Sequence, residues 1–147
     1  MAIFKALDLN RDRFMGGYGN GFIGFGTVTP TAGASGDIYY PMLIPAGVMV
    51  TDVDIVNDDL DSNVSPTIAC KVGYTPVNSA DGPTAVDDYF AAAGKTFLNA
   101  AGRTSLAFQP IKFDRPVYLI VTLTANAATF ASGKVTAIVK GDAIGVK

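Results

Sequence analysis

The sequence contains no His, no Trp and no Glu, and it has a single Cys, Cys70. Without His, the usual general base near neutral pH is missing, and catalysis would need an Asp, Lys, Tyr or Cys70 with a shifted pKa. No pairing of residues suggests such a shift, and one Cys cannot form a disulfide within the chain. We therefore expect that the protein is not an enzyme, and we predict no cofactor.

Charged residues are also scarce, at 16% of the chain with a net charge of -2 and no run of Lys or Arg. Nucleic acids are bound through many phosphate contacts, so we expect no nucleic acid partner. No stretch reaches the roughly 18 apolar residues of a membrane span, and the first residues lack the apolar segment of a secretory signal. We expect no membrane partner and synthesis in a cytoplasm. The hydrophobic fraction of 49% is typical of a protein that hides surface in an assembly.

The 147 residues suffice for one domain, and the dominant pattern is strict apolar–polar alternation, which indicates half-buried strands. Three segments alternate clearly, and their predicted inward faces are Ile68, Cys70, Val72 and Tyr74; Val117, Leu119, Val121 and Leu123; and Val135, Ala137 and Val139. Short segments rich in Gly, Pro, Asn, Asp and Ala separate nearly all of the predicted strands. About eight short strands at this spacing predict an all-β, antiparallel sandwich or barrel.

Other segments fit the pattern less well. Residues 48–55 predict a strand with Met49, Thr51, Val53 and Ile55 on one face, and Pro41 should break the strand at 38–44 or place it at a sheet edge. Further strands are predicted at 21–30, 95–100 and 104–113. Residues 85–94 predict one short helix or turn, because two Asp residues lie near the start and Gly94 at the end.

Strand periodicity begins only after the first 21 residues, which divides the chain into an N-terminal arm, 1–21, and a single domain, 22–147. The Gly-rich stretch 16–26 has no Gly-Lys-Ser/Thr after it, so nucleotide binding is not expected. Two interpretations remain for it. It is a flexible lead-in whose aromatic rings pack on the core, or it is an arm that becomes ordered against another chain.

The segment DIVNDDLDSNVSP places Asp59, Asp61 and Asn63 at alternate positions, as at the start of a calcium loop. Such a loop needs Gly at its sixth position and a bidentate acid at its twelfth, but Val64 and Cys70 stand there. We therefore predict a strand-to-strand turn in which these side chains bond the local backbone, and no metal site. A loose ion site shared with a neighbouring loop or subunit remains the alternative.

The strand at 117–124 has an outer face that is only half polar, formed by Tyr118, Ile120 and Thr122. A monomer would normally cover such a face with charge. We predict that these three residues lie under the arm or contact a second copy of the chain.

The middle of the chain resembles the jelly-roll head cement, or decoration, proteins of tailed bacteriophages. The resemblance covers residues 36–140 and depends on the order of features: LIPAGVMVTDVDIVNDD, then IACKVGYTPV, AVDDYFAAAG, and NAAGRTSLAFQPIKFDRPVYLIVTLTAN with its closing strand. No single motif is specific. The resemblance implies an antiparallel jelly-roll sandwich that acts in the virion, on the outer surface of the capsid.

The resemblance also implies partners. Such proteins form homodimers or homotrimers and bridge neighbouring copies of the major capsid protein, so that the shell resists internal pressure. Oligomers engage several subunits at once, which raises avidity. The predicted shell contacts lie in the arm and its junction with the first strand: Phe4, Leu7, Phe14, Tyr18 and Phe22.

Two other functions are considered. A virion surface domain that binds host glycans would need an exposed aromatic platform beside acids, which Tyr89 and Phe90 with Asp87 and Asp88 could form. The competing interpretation is that the two rings close the sandwich, and the absence of Trp also counts against a sugar platform. The third possibility is another head or tail subunit of the virion.

Overall fold

The computed structural model describes residues 1–7, 15–16 and 20–145, which form a sandwich of two β-sheets. The first sheet has five strands in the order β1-β4-β10-β6-β7, and only β1 and β4 run parallel. Its strands are β1 (Ile3–Lys5), β4 (Ile38–Ile44), β10 (Val117–Ala125), β6 (Ala69–Pro76) and β7 (Val86–Lys95). The all-β sandwich predicted from the alternating pattern is confirmed.

The second sheet has six strands in the order β2-β3-β11-β5, and both β8 and β9 pair with β5. Its strands are β2 (Met15–Gly16), β3 (Gly21–Val28), β11 (Val135–Ala143), β5 (Val48–Asn57), β8 (Gly102–Ser105) and β9 (Ile111–Phe113). Within the described part of the chain, no helix is long and apolar enough to cross a membrane.

The core lies between the two sheets and consists of the residues that alternate inward. All the inward residues predicted for β6, β10 and β11 are buried, with Val72, Leu119 and Val139 fully inaccessible to solvent. Burial of apolar surface is the main driving force for folding, and each Å² removed from water contributes roughly 25 cal/mol of free energy.

Two strands change face partway along because of β-bulges. In β5 the register with β11 shifts at Thr51, so Val48 and Val50 point inward before the bulge, and Val53 and Ile55 after it. The prediction that Met49 and Thr51 lie on the same face as Val53 and Ile55 is therefore wrong. In β4 the shift falls at Tyr40–Pro41, where two residues oppose one of β10. Proline has no N–H to donate, which suits it to a bulge.

The short helix predicted at 85–94 is wrong, because this segment is strand β7. The strand predicted at 95–100 is wrong as well: Phe97–Asn99 form a single turn of 3-10 helix. The helix prediction depended on the two Asp residues near the start and on Gly94 at the end, and pairing with β6 together with burial of Phe90 outweighs these signals.

The first residues of the chain belong to the five-stranded sheet. The Ala2 N–H donates to Asp37 Oδ1 at 2.7 Å, the Ala6 N–H donates to the Tyr40 carbonyl at 2.9 Å, and the Ala6 side chain is buried. Residues 3–5 therefore add a short parallel strand to the edge of β4.

Candidate interaction site

The acidic turn between β5 and β6 directs its oxygens at backbone N–H groups. Asp59 Oδ1 accepts the Asp61 N–H at 2.9 Å, and Asn63 Oδ1 accepts the Ser65 N–H at 2.9 Å. The buried Asp61 carboxylate accepts four N–H groups, those of Thr67, Ile68, Ala128 and Thr129, at 2.7, 3.1, 2.9 and 2.8 Å. The bonds of Asp59 and Asn63 are those of a turn. No group of three or more Cys or Asp in the described ranges is placed to hold a metal ion.

The pKa of Asp61 follows from its burial and from these four hydrogen bonds. Burial alone would raise the pKa of the carboxyl group, but the four backbone hydrogen bonds outweigh it and lower the pKa well below its usual range. The carboxylate stays ionised and joins the loop 58–68 to the loop 126–134, two segments far apart in sequence.

The predicted arm contacts fall in different environments. Phe4 is half-buried and packs edge-on against Tyr39, with the ring centroids 5.7 Å apart, whereas Leu7 is fully exposed. Phe22 is only 9% exposed and belongs to the core, so its ring faces the interior of the chain. Phe14 and Tyr18 lie outside the described residues.

The outer face of β10 carries the residues predicted for self-association. Tyr118 is half-buried and meets the Tyr40 ring edge-on at 5.6 Å, while Lys5 Nζ lies 5.4 Å from the centroid of that same ring. Thr122 is partly exposed. Ile120, by contrast, is only 4% exposed, so neighbouring parts of the chain cover it on this face.

The burial of Ile120 has a local cause. Its partner on β6 is Gly73, and a Cβ added there would come within 2.1 Å of the Val86 carbonyl oxygen. Because Val72 and Tyr74 point inward, the missing Gly73 side chain would point outward. The start of β7 therefore folds over the outer face beside Ile120.

Tyr89 and Phe90 belong to an aromatic cluster that closes one side of the sandwich. Phe90 is 1% exposed and meets the Phe108 ring edge-on at 4.8 Å. Tyr89 meets Phe90 edge-on at 5.4 Å and donates its hydroxyl to the Gln109 carbonyl at 3.0 Å. The two rings pack within the chain, which agrees with the interpretation that they close the sandwich. They do not form an exposed flat platform.

An ionic cluster on the outer face of the six-stranded sheet was not anticipated from the sequence. Asp54, with a side chain only 3% exposed, accepts hydrogen bonds from Ser105 Oγ and from Arg103, whose Nε lies 3.2 Å away. Lys140 Nζ lies 2.9 Å from Asp52 and 3.4 Å from Asp54. The signal in the sequence was the pair of Asp residues in the outward phase of a Val-rich strand, but their partners come from β8 and β11.

Cys70, the single thiol, is buried in the core. Burial raises its pKa to about 12, and Sγ lies 3.4 Å from the Lys95 carbonyl oxygen. A thiol with so high a pKa is a poor nucleophile near neutral pH. Cys70 therefore acts as a small core residue.

Two solved structures are similar to this chain over most of its length. A chain in the capsid of Ralstonia phage GP4 superposes with a TM-score of 0.72 at 20% identity, covering 96% of this chain and 97% of that chain. A chain in the capsid asymmetric unit of cyanophage Pam1 gives a TM-score of 0.59 at 25% identity, covering 86% of this chain and 87% of that chain. No protein-family model and no curated protein matches. The fold is thus one that occurs in phage capsids, which supports a structural role in a phage virion.

Proposed function

We propose that this protein is a capsid cement protein, which binds the outer surface of a phage head and stabilises contacts between major capsid subunits. The observation that carries the proposal is the match of the whole sandwich to a chain of a phage capsid, at 96% of this chain and 97% of that one. The resemblance of residues 36–140 to cement proteins favours this role over that of the main shell subunit. A main shell subunit would normally be larger and more helical.

The buried polar groups support a binding role without chemistry. Asp37, Asp54 and Asp61 are the buried carboxylates of the described residues, and each accepts hydrogen bonds from within the chain. Groups that catalyse usually combine a shifted pKa with access to a substrate. These carboxylates instead fix loops and strands, which gives a rigid body suited to spanning a seam between subunits.

The shell contact is proposed to include the exposed end of β1. Leu7 is fully exposed two residues after the strand, whereas Phe4 packs against Tyr39 and Phe22 lies in the core. Docking of an exposed leucine removes its apolar surface from water, which favours binding. Among the predicted residues that the structure describes, Leu7 is therefore the one best placed to contact a shell subunit.

The contact between copies of the chain is proposed to use the outer face of β10. Tyr118 and Tyr40 present two half-buried rings there, with Thr122 further along the strand. Tyrosine contributes large contact area at low entropic cost and is enriched where interfaces are strong.

Co-sedimentation with undecorated shells of the parent particle tests the proposal. The wild type, Leu7→Asp and Val64→Asp are each titrated into shells, and the pelleted fraction is measured. Val64 is the matched control, because it is also a fully exposed apolar residue but lies in the β5–β6 loop. We expect saturable pelleting of the wild type and Val64→Asp, and at least tenfold weaker binding of Leu7→Asp.

Each other result has a distinct meaning. If Leu7→Asp pellets like the wild type, the cement role stands and the contact through β1 is wrong. If the wild type does not pellet at any concentration, the cement role itself is wrong. Circular dichroism of each variant separates lost binding from lost folding.

A further inference from the structure

One cross-strand row on the outer face of the five-stranded sheet carries opposite charges at its two ends. In β1, Lys5 pairs with Tyr40 of β4, which lies at the bulge opposite Ile120 of β10. Ile120 pairs with Gly73 of β6, and a Cβ added to Gly73 would lie 2.6 Å from the Cα of Asp87 in β7. The row therefore runs from Lys5 to Asp87 with Ile120 at its midpoint, because β10 is the central strand of the sheet.

Both charged groups are accessible on this face. The Lys5 ammonium lies 5.4 Å from the centroid of the Tyr40 ring and forms no salt bridge within the described part of the chain. Asp87 Oδ2 lies 2.7 Å from Nζ of Lys71, which faces outward because its neighbours in β6 point into the core. The side chain of Asp87 is 50% exposed and that of Lys71 is 24% exposed, so the carboxylate is the more accessible group of the pair. With the exposed Asp88 beside it, the β7 end of the row is negative.

The surface between the two charged ends is largely apolar and wide enough for an interface. Tyr118 pairs with Leu43, and Thr122 pairs with Ile38, so the apolar partners on β4 share the outer face with the Tyr40 ring, and all are partly exposed. Five strands spaced about 4.8 Å apart present roughly 500 Å² of this face in each copy of the chain. Two such faces together bury roughly 1,000 Å², which is the area at which specific protein interfaces begin.

We infer that two copies of the chain pack these faces together about a two-fold axis along β10, so that Lys5 of each copy meets Asp87 of the other. A two-fold contact requires a surface that is complementary to itself. An axis along β10 reverses the strand order in the partner, so each β1 faces a β7 and opposite charges meet at both ends. An axis across the strands would instead place like charges against each other, which is unfavourable in an interface. The inference rests on the proposed contact between copies and adds their number and orientation.

Complementary charge reversals test this arrangement. Lys5→Glu brings a new acid against Asp87 at both ends of the dimer, and Asp87→Lys brings a new lysine against Lys5, so each variant alone should associate at least about fivefold more weakly than the wild type. In a 1:1 mixture, the new acid of one variant meets the new lysine of the other at one end, and the native Lys5 and Asp87 meet at the other end. Sedimentation velocity should therefore detect dimers in the mixture at concentrations where each variant alone is monomeric.

Lys134→Glu and Asp142→Lys are the matched controls, because they change the net charge by the same amounts at exposed positions outside this face. Each control should associate like the wild type, both alone and in a mixture. Circular dichroism checks that Asp87→Lys remains folded after losing its ion pair with Lys71. If it does not fold, Asp87→Asn replaces it, and the mixture of that variant with Lys5→Glu should still associate more tightly than Lys5→Glu alone.

The outcomes separate this inference from the proposed function. If the wild type associates but the mixture is no tighter than its two components, or if Lys5→Glu associates like Lys134→Glu, the two-fold arrangement is wrong and the contact through the outer face of β10 stands. A wild-type assembly larger than a dimer also overturns the arrangement. A wild type that stays monomeric overturns both the arrangement and the contact between copies, whereas the cement role is judged separately by co-sedimentation with shells.

Discussion

The carboxylate of Asp61 accepts the backbone N–H of Thr129 at 2.8 Å, across 68 residues of sequence. The same carboxylate accepts the N–H groups of Thr67 and Ala128, so one side chain fixes the β5–β6 loop against the β10–β11 loop. An ionised acceptor with several amide donors forms hydrogen bonds roughly twice as strong as neutral ones. This cluster holds one end of the sandwich in place.

Asp61→Asn should lower the free energy of unfolding by roughly 3 kcal/mol or more. The NH2 group of the new amide would face backbone N–H groups, and neither donor would then have an acceptor. The free energy of unfolding is measured by urea denaturation. Asp59→Asn is the matched control, because its exposed side chain keeps an oxygen for the Asp61 N–H, and it should change stability by less than about 0.5 kcal/mol. Equal losses in the two variants would contradict the assigned role of Asp61.

The sequence predicted the turn at this loop but not its function in the fold. The failed spacing of a calcium loop, with Val64 and Cys70 at the critical positions, correctly favoured side-chain bonds to the backbone. The distant donor Thr129 could not be predicted, because nothing local specifies which loop meets the acid. Asp37 and Asp54 were missed for the same reason, since Ala2 and Ser105, which donate to them, are also remote in sequence.

Acid should weaken the protein partly through Asp54. Hydrogen bonds from Ser105 and Arg103 lower its pKa from 3.8 to about 2. Because the pKa is lower in the folded state, the stabilisation is fully present above about pH 4 and is lost as the pH falls through about 2. The free energy of unfolding should therefore fall less steeply between these pH values in Asp54→Asn than in the wild type.

Asp52→Asn is the control for that experiment. Its side chain is 40% exposed and lies beside Lys140 at 2.9 Å, where solvent screens the pair. In urea unfolding at several pH values, the free energy of unfolding of this variant should fall with decreasing pH about as steeply as that of the wild type. If the free energy of unfolding of Asp54→Asn falls as steeply with decreasing pH as that of the wild type, the Ser105 and Arg103 contacts do not set the pH dependence of stability.

The two sheets approach closely at Gly26. A Cβ added there would lie 2.3 Å from the Pro41 carbonyl oxygen and 2.8 Å from Met42 Cβ, so Gly26→Ala should cost about 1–3 kcal/mol. Gly21→Ala, in the same strand, meets nothing within 4 Å and should be neutral or slightly stabilising. Thermal unfolding followed by circular dichroism compares them, and equal midpoints would argue against this close packing.

The predicted strand faces are correct where strand pairing is regular and wrong where a bulge interrupts it. The alternation of β10 gave the buried Leu119 and Val121 correctly, because β10 pairs with β6 in one register from Val117 to Leu123, and the extra residue of the bulge against β4 lies in β4. In β5 the bulge at Thr51 reverses the phase, and a bulge is defined by the partner strand as much as by its own sequence. The 85–94 segment shows tertiary pairing outweighing helix propensity, which periodicity alone cannot reveal.

Tyr118→Glu should disrupt association between copies of the chain. The substitution replaces one ring of the Tyr40–Tyr118 pair on the outer face with a charge that a buried contact would have to desolvate, so self-association should weaken at least tenfold. Thr51→Glu places the same charge at an exposed site in the other sheet and should leave association unchanged. Sedimentation velocity over a range of concentrations measures the effect. A wild type that stays monomeric throughout, or a Tyr118→Glu variant that associates normally, would show that this face is not the contact between copies.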